Sequence, residues 1–322
     1  MREPNHITLE VTNRCHLECS HCYLETNRGL DELSVAEIET NLLPHLREYD
    51  IESFVITGGE ALLRPDTDEI CEIVSRHVDE LRLLTSLSTP EAASRVNDLP
   101  IDALSVSVDG PRQTHDAIRG NGTFDRVLEN LRRIDRTCLN ELYLNCVVSS
   151  YNEDRFSDLL EVVEPFADKV GFQLQTWGRP SDVARSAERL GCDEGVMMLP
   201  VLPEHPANTA AVNEGLRDVR ERAEQSPATV QVFPPGASES TVDEWFDGGE
   251  RDHRRGCEAI YRRPLIGPEG DVYPCPFVRQ PMGNVRDDRL TDIWTGREMS
   301  QFREQLSKEG LLPVCNRCAC SS

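Results

Sequence analysis

From Ile7 to Thr176, short runs rich in branched and aromatic apolar residues alternate with longer stretches whose apolar positions recur every three to four residues. The short runs predict strands: ITLEVT (7–12), SFVIT (53–57), LRLLTS (81–86), IDALSVSV (101–108), LYLNCVVS (142–149) and VGFQLQT (170–176). The longer stretches predict helices. One runs from Ser34 to Tyr49, opened by an S-x-x-E capping box between Ser34 and Glu37. Another runs from Thr123 to Arg136 and places Phe124, Val127, Leu128, Leu131 and Ile134 on one face. Six such β-then-α units favour a parallel sheet covered by helices, either an open doubly wound sheet or an incomplete barrel. In both arrangements the loops that follow the strands gather on one face, where α/β proteins place their chemistry.

Three features fall on those loops: a cluster of cysteines after the first strand, GGEALLRP after the second, and SVDGPRQTHDAIRG at the end of the fourth. Beyond residue 178 the pattern changes. LPVLPEHPAN, QSPATVQVFPPGASES and FDGGERDHRRG are rich in Pro, Gly and Ser and interrupt one helical stretch, Val212 to Ala223. This reads as the last helix of the core followed by a bridging segment, and a compact cysteine module begins at Gly256. A chain of 322 residues accommodates one large core and a small appended unit. The expected division is 1–200, 201–255 and 256–322.

The net charge of −23 is dispersed along the chain, and lysine occurs only at Lys169 and Lys308. Such a surface repels a phosphate backbone, so no nucleic-acid partner is expected. Dispersed carboxylates suit a salt-adapted, halophilic protein. MREPNHITLE lacks the apolar core of a secretory signal, and no run approaches the ~20 apolar residues of a bilayer span, so a cytoplasmic protein without membrane contact is expected.

Twelve cysteines are many for such a protein, because reduced thiols in the cytosol more often bind metal than pair. Cys71, Cys138, Cys146 and Cys192 lie in apolar or helical contexts and read as ordinary small buried residues. Cys15-x-x-x-Cys19-x-x-Cys22 offers three thiolates on one short loop. Three thiolates can hold three irons of a cubane cluster and leave the fourth iron open to a small molecule. They also suit a structural zinc loop completed by His16 or His21, or an electron-transfer cluster with its fourth cysteine elsewhere. Cys257, Cys275 and the terminal run CNRCAC from Cys315 to Cys320 suit a zinc ribbon as well as a cluster.

The frame of Cys15, Cys19 and Cys22 after strand one, with Gly58, Gly59 and Glu60 after strand two, resembles the radical S-adenosylmethionine (SAM) superfamily. SVSVDGPRQTHDAIRGNGTFDRVLENL is similar to the fourth-strand region of its peptide-modifying branches. The resemblance covers residues 6 to 176 and implies an α/β fold, a partial (β/α)6 TIM-type barrel followed by a small cysteine-rich domain. It implies a 4Fe-4S cluster on Cys15, Cys19 and Cys22, with the open iron chelated by SAM. His21 occupies the aromatic position near the adenine. Gly58, Gly59 and Glu60 offer backbone groups to the methionyl ammonium, glycine permitting close approach. Ser107 and Arg119 match positions that contact the ribose and carboxylate of SAM. Asp109 reads as a turn residue of DGPR. Two positions depart from the family: Ala61 replaces a proline after GGE, and LLTSLST replaces a Thr-Asn-Gly ending.

Cys257-x12-Gly270-x4-Cys275, followed by GNVRDDRLTDIWTGREMSQFREQL and a terminal CxxC, resembles the auxiliary-cluster module of the same superfamily, nearer its short twitch form than the full SPASM form. This implies one auxiliary 4Fe-4S cluster on Cys257, Cys275, Cys315 and Cys318, with Cys320 a spare that could replace Cys318. The implied activity is reductive cleavage of SAM to a 5'-deoxyadenosyl radical and hydrogen abstraction from a substrate in maturation of a ribosomally made peptide or of a cofactor or haem precursor. Dehydrogenation of a small alcohol and a non-catalytic iron-sulfur or zinc protein are the alternatives. A reductant such as ferredoxin or flavodoxin is the implied partner. No leader-binding domain is recognised before residue 6, so a peptide substrate is expected to use a separate recognition protein or to dock at 178–255. The sequence names no catalytic side chain.

Overall fold

The computed structural model describes residues 3–46, 49, 51–247 and 256–319. All six predicted strands form: β1 (His6–Thr12), β2 (Ser53–Gly58), β3 (Leu81–Thr85), β4 (Ala103–Ser107), β5 (Glu141–Val148) and β6 (Lys169–Leu174). A seventh, β7 (Thr229–Phe233), pairs parallel to β6. It comes from the Pro-rich segment read as a bridge, whose TVQVF is too short to stand out between turn residues. Two short strands, β8 (Leu265–Ile266) and β9 (Val272–Tyr273), complete one sheet in the order β7-β6-β5-β4-β3-β2-β1-β8-β9. Every pairing is parallel except the β8–β9 hairpin, so the C-terminal module extends the barrel sheet through β8 alongside β1.

Strand alternation separates two environments. In β5, Leu142, Leu144, Cys146 and Val148 are buried against the helices, while Glu141, Tyr143, Asn145 and Val147 are only half-buried on the opposite face. A closed barrel fills its interior with branched apolar side chains. This one keeps a cavity of about 500 Å³ lined by Ser105, Tyr143, Asn145 and Gln173. Gly171 makes room for the Tyr143 side chain, since a Cβ there would lie 1.7 Å from its hydroxyl.

The Ser34 capping box forms as predicted, but the helix it opens passes through a π turn over Ile38–Leu42 before resuming at Leu43–Leu46. Residues 47 and 48 of that predicted helix lie outside the described residues. The helix Thr123–Arg133 buries its predicted apolar face. Of the scattered cysteines, Cys71 and Cys146 are buried as predicted, Cys192 is half-buried and Cys138 is exposed. Cys138 sits in a 3-10 turn after the helix, where no apolar layer covers it.

Two buried ion pairs dock the module. Arg279 reaches back to Glu10 of β1 with two hydrogen bonds of 2.8 and 2.7 Å, its guanidinium lying over the Tyr273 ring. Arg317, between the last described cysteines, donates to Asp182 (3.2 Å) and stacks on the fully buried Trp177. A buried pair contributes little net stability, but removing one partner strands the other charge and costs about 3–5 kcal/mol. Arg279→Met should therefore destabilise the protein by that amount in urea unfolding. Glu10→Gln with Arg279→Met should recover at least half of it, and equal losses in the two proteins would contradict the pairing.

Candidate functional site

The loop after β1 carries Cys15, Cys19 and Cys22 and is held from three sides. Asn27, with a left-handed φ of 60°, accepts from the Cys15 N–H at 3.0 Å and donates to the Cys15 carbonyl at 2.9 Å. The Ser20 N–H donates to the Ile118 carbonyl at 2.9 Å, fixing the loop to the helix Arg112–Arg119. The third support is the glycine turn. A Cβ on Gly58 would lie 2.2 Å from the Thr12 carbonyl oxygen, and one on Gly59 2.5 Å from that of Arg14. The close approach that glycine permits here is therefore that of the cysteine loop's own backbone. The N–H groups of Gly59 and Glu60 donate to those same carbonyls at 2.9 and 2.8 Å.

Glu60 is buried with its carboxylate fully engaged. Oε1 accepts from the Leu62 N–H (3.2 Å) and Thr85 hydroxyl (2.8 Å), and Oε2 from the N–H (2.8 Å) and hydroxyl (2.5 Å) of Ser86. This accounts for the unusual strand ending TSLST, whose hydroxyls satisfy Glu60 and continue through Ser88 to His16 Nε2 at 2.8 Å. Leu87 within it holds a φ of 51°, and the Asn130 amide donates to the carbonyls of Leu87 and Thr89.

Asp109 corrects the reading from sequence. Its carboxylate does not cap the DGPR turn. It is wholly buried, accepting from Arg119 Nε at 2.5 Å and the Val147 N–H at 3.0 Å, with His21 Nε2 at 3.8 Å. Burial works to raise its pKa, but Arg119 and His21 prevail and hold it at about 2. The Asp109 N–H donates to His115 Nδ1 at 3.2 Å, so the neutral ring carries its proton on Nε2, which has no partner among the described residues. Ser107 ends β4 opposite Asn145 and is partly exposed.

Burial pushes the Cys19 thiol up to about 11 and raises that of Cys15, while the nearby Arg119 charge opposes both shifts. Such thiols become ligands when a cation displaces the proton. The donor set, three thiols on one short loop, fits the three protein ligands of a cubane cluster, while His16 Nε2 meets the Ser88 hydroxyl and His21 Nε2 lies 3.8 Å from Asp109. Cys257, Cys275, Cys315 and Cys318 likewise line one apolar cavity, walled by Phe277, Phe302 and Leu312. Burial, then the neighbouring Cys275 and Cys257, raises the Cys315 thiol. Cys320 lies outside the described residues.

Residues 9–163 match the family model of the radical SAM superfamily, and residues 257–319 match that of the SPASM iron-sulfur cluster-binding domain. This chain is a radical SAM enzyme. It is similar to the AdoMet-dependent heme synthase of Oleidesulfovibrio alaskensis, 26% identical over 97% of this chain and 79% of that protein. The mycofactocin maturase MftC of Mycobacterium ulcerans is 26% identical over 97% of this chain and 79% of its own. In fold it is similar to Streptococcus suis SuiB bound to the precursor peptide SuiA, with a TM-score of 0.70 at 16% identity, covering 98% of this chain and 72% of that one. Enzymes of this superfamily use a 4Fe-4S cluster and SAM, and the SPASM domain carries auxiliary iron-sulfur chemistry.

The predicted site residues Cys15, Cys19, Cys22, His21, Gly58, Gly59, Glu60 and Arg119 of this radical SAM enzyme meet on one face. Sequence reasoning missed Asn27, Asn130 and Arg64, a buried side chain that donates to the Val11 and Leu33 carbonyls at 2.6 and 2.7 Å. Asn27 has a faint signal, an asparagine in a loop that must turn left-handed; the others have none.

His115 and His205 are both held neutral, their pKa values lowered to about 4 by burial and then by Arg119 and Arg317 respectively. Below the ordinary value of 6.5 the unfolded chain binds protons that the folded one refuses, so stability is complete above that value and falls as pH drops toward 4. Each histidine should cost about 2 kcal/mol between pH 7 and 5. Urea unfolding at the two pH values measures this, and equal stabilities would contradict it.

Proposed function

We propose that Cys15, Cys19 and Cys22 hold the 4Fe-4S cluster to which SAM binds, and that the substrate is a peptide segment lying in the barrel interior. The observation that carries this reading is three thiols on one short loop, beside a glycine turn and a carboxylate-held arginine. When bound, the cluster and SAM supply one-electron reductive cleavage of a sulfonium and a carbon radical that takes hydrogen from the substrate.

The chain's own residues bind and orient. The carbonyls of Gly58 and Gly59 would accept from the N–H groups of the methionyl amino group, and the Arg119 guanidinium would meet its carboxylate. Ser107 reaches the ribose and His21 flanks the adenine. Glu60 fixes the turn and does not touch the ligand, both its oxygens being occupied. Cys257, Cys275, Cys315 and Cys318 hold an auxiliary cluster closed by four thiolates, and the apolar wall around it excludes water.

Two observations support a peptide. The interior cavity presents hydroxyl and amide groups from Ser105, Tyr143, Asn145 and Gln173 with Glu258, Arg262 and Arg263 in its wall, a polar and charged lining that suits peptide N–H, C=O and side-chain groups. SuiB, similar in fold, is bound to a precursor peptide, and the similar MftC is named a mycofactocin maturase. The cavity also touches Ala259, which lines the auxiliary cavity, and Ala319, beside Cys318. A substrate there lies against the auxiliary centre, and a reductant of the ferredoxin or flavodoxin kind serves the first cluster.

Anaerobically reconstituted protein given SAM and dithionite should release 5'-deoxyadenosine. Replacing Cys15, Cys19 and Cys22 together by alanine should abolish that product and remove about half of the iron. Replacing Cys275 and Cys315 should remove the other half and leave cleavage of SAM within tenfold of the parent. Undiminished product from the first variant would overturn the assignment.

A further inference from the structure

Asp109 is the most completely buried carboxylate near the cysteine loop, and its contacts run in one direction. Its Oδ2 accepts from Arg119 Nε, its Oδ1 accepts from the Val147 N–H, and its backbone is held by the Asn152 amide at 2.9 Å and by His115. The ends of β4 and β5 and the C-terminal turn of the helix Arg112–Arg119 are thus all referred to one side chain. An arginine side chain is long and otherwise rich in rotamers. With Nε bound to a buried carboxylate, the guanidinium plane is fixed and its Nη pair is the part left to meet another anion. His21, between Cys19 and Cys22 on the cysteine loop, has its Nε2 3.8 Å from the same Asp109 Oδ2.

We infer that Asp109 is a positioning residue for SAM: it does not touch the ligand, but aims the Arg119 fork at the carboxylate of SAM and holds His21 beside it. This rests on the SAM-binding reading above. A carboxylate at this position also excludes a simpler role for Arg119 as a free surface cation, since the arginine side chain is one-tenth exposed and the aspartate not at all. An asparagine would keep one acceptor for the Val147 N–H and lose the charge that orients the arginine. The structural tie between β4 and β5 and the electrostatic aim of Arg119 are therefore separable by substitution.

The test is a double-mutant cycle on SAM affinity, measured by equilibrium dialysis with cluster-loaded protein, with iron content and thermal unfolding recorded for each variant. Asp109→Asn should raise the SAM dissociation constant at least tenfold while iron content stays at the parent value. Arg119→Gln should do the same, and the double variant should be no weaker than the weaker single one, because the two residues act as a unit. Additive losses, or an Asp109→Asn protein that binds SAM within twofold of the parent, would overturn the inference. If Asp109→Asn does not fold, Arg119→Lys decides. It keeps the positive charge but lacks the fork, so it should bind SAM at least tenfold more weakly with iron intact; binding within twofold of the parent would overturn the inference. A parent protein that does not bind SAM at all would instead remove the reading on which the inference rests.

Discussion

A carboxylate taken out of water costs several kilocalories per mole unless a cation goes with it. In a chain with 57 acidic and 34 basic residues, three of the four buried acids among the described residues mark places where an arginine has been committed, the fourth, Glu60, being held by N–H groups and hydroxyls. Three such pairs organise this molecule. Asp109 with Arg119 fixes the ends of β4 and β5 against the cysteine loop. Glu10 with Arg279 fixes β1 to the module. Asp182 with Arg317 fixes the second cysteine set to the helix Pro180–Leu190. Buried ion pairs of this kind specify position more than they stabilise, and position is what two separated cysteine sets require.

The sheet explains why those positions share one molecule face. Parallel strands deliver every βα loop to the same end, so three thiols after β1, a glycine turn after β2, hydroxyls after β3 and a carboxylate after β4 meet without long connections. Because β8 adds to the free edge of β1, the module is joined to the strand that carries the first cysteines. A polar cavity is left in the interior, bordered on one side by Glu258, Ala259 and Ala319, the chain neighbours of the second cysteine set. The protein's contribution is then to hold two metal centres and a chamber in register, and the radical chemistry belongs to the cofactors.

Much of this was legible in the sequence, for physical reasons. Six strands were visible because alternation between core and interior has a period of two, and the cysteine frame was visible because ligand spacing along a short loop is local. What escaped was non-local or weakly patterned. β7 is five residues in a Pro-rich stretch and gains its stability only from pairing with β6. The glycine pair was read as room for a ligand, when its first use is to admit the Thr12 and Arg14 carbonyls. Asp109 looked like a turn residue because DGP is a turn sequence; its role depends on Arg119 ten residues on and Val147 on another strand. The divergent TSLST ending made sense only once Glu60 was seen to need its hydroxyls.

The central claim is that the cluster on the first cysteine loop has an iron bound to no side chain and chelated by the amino-acid end of SAM. Electron-nuclear double resonance on the reduced protein, with SAM carrying ¹⁵N at its amino group, tests this most directly. The account requires a ¹⁵N coupling to the cluster spin and a changed cluster spectrum when SAM is added. A spectrum indifferent to SAM, with no ¹⁵N coupling, would contradict it.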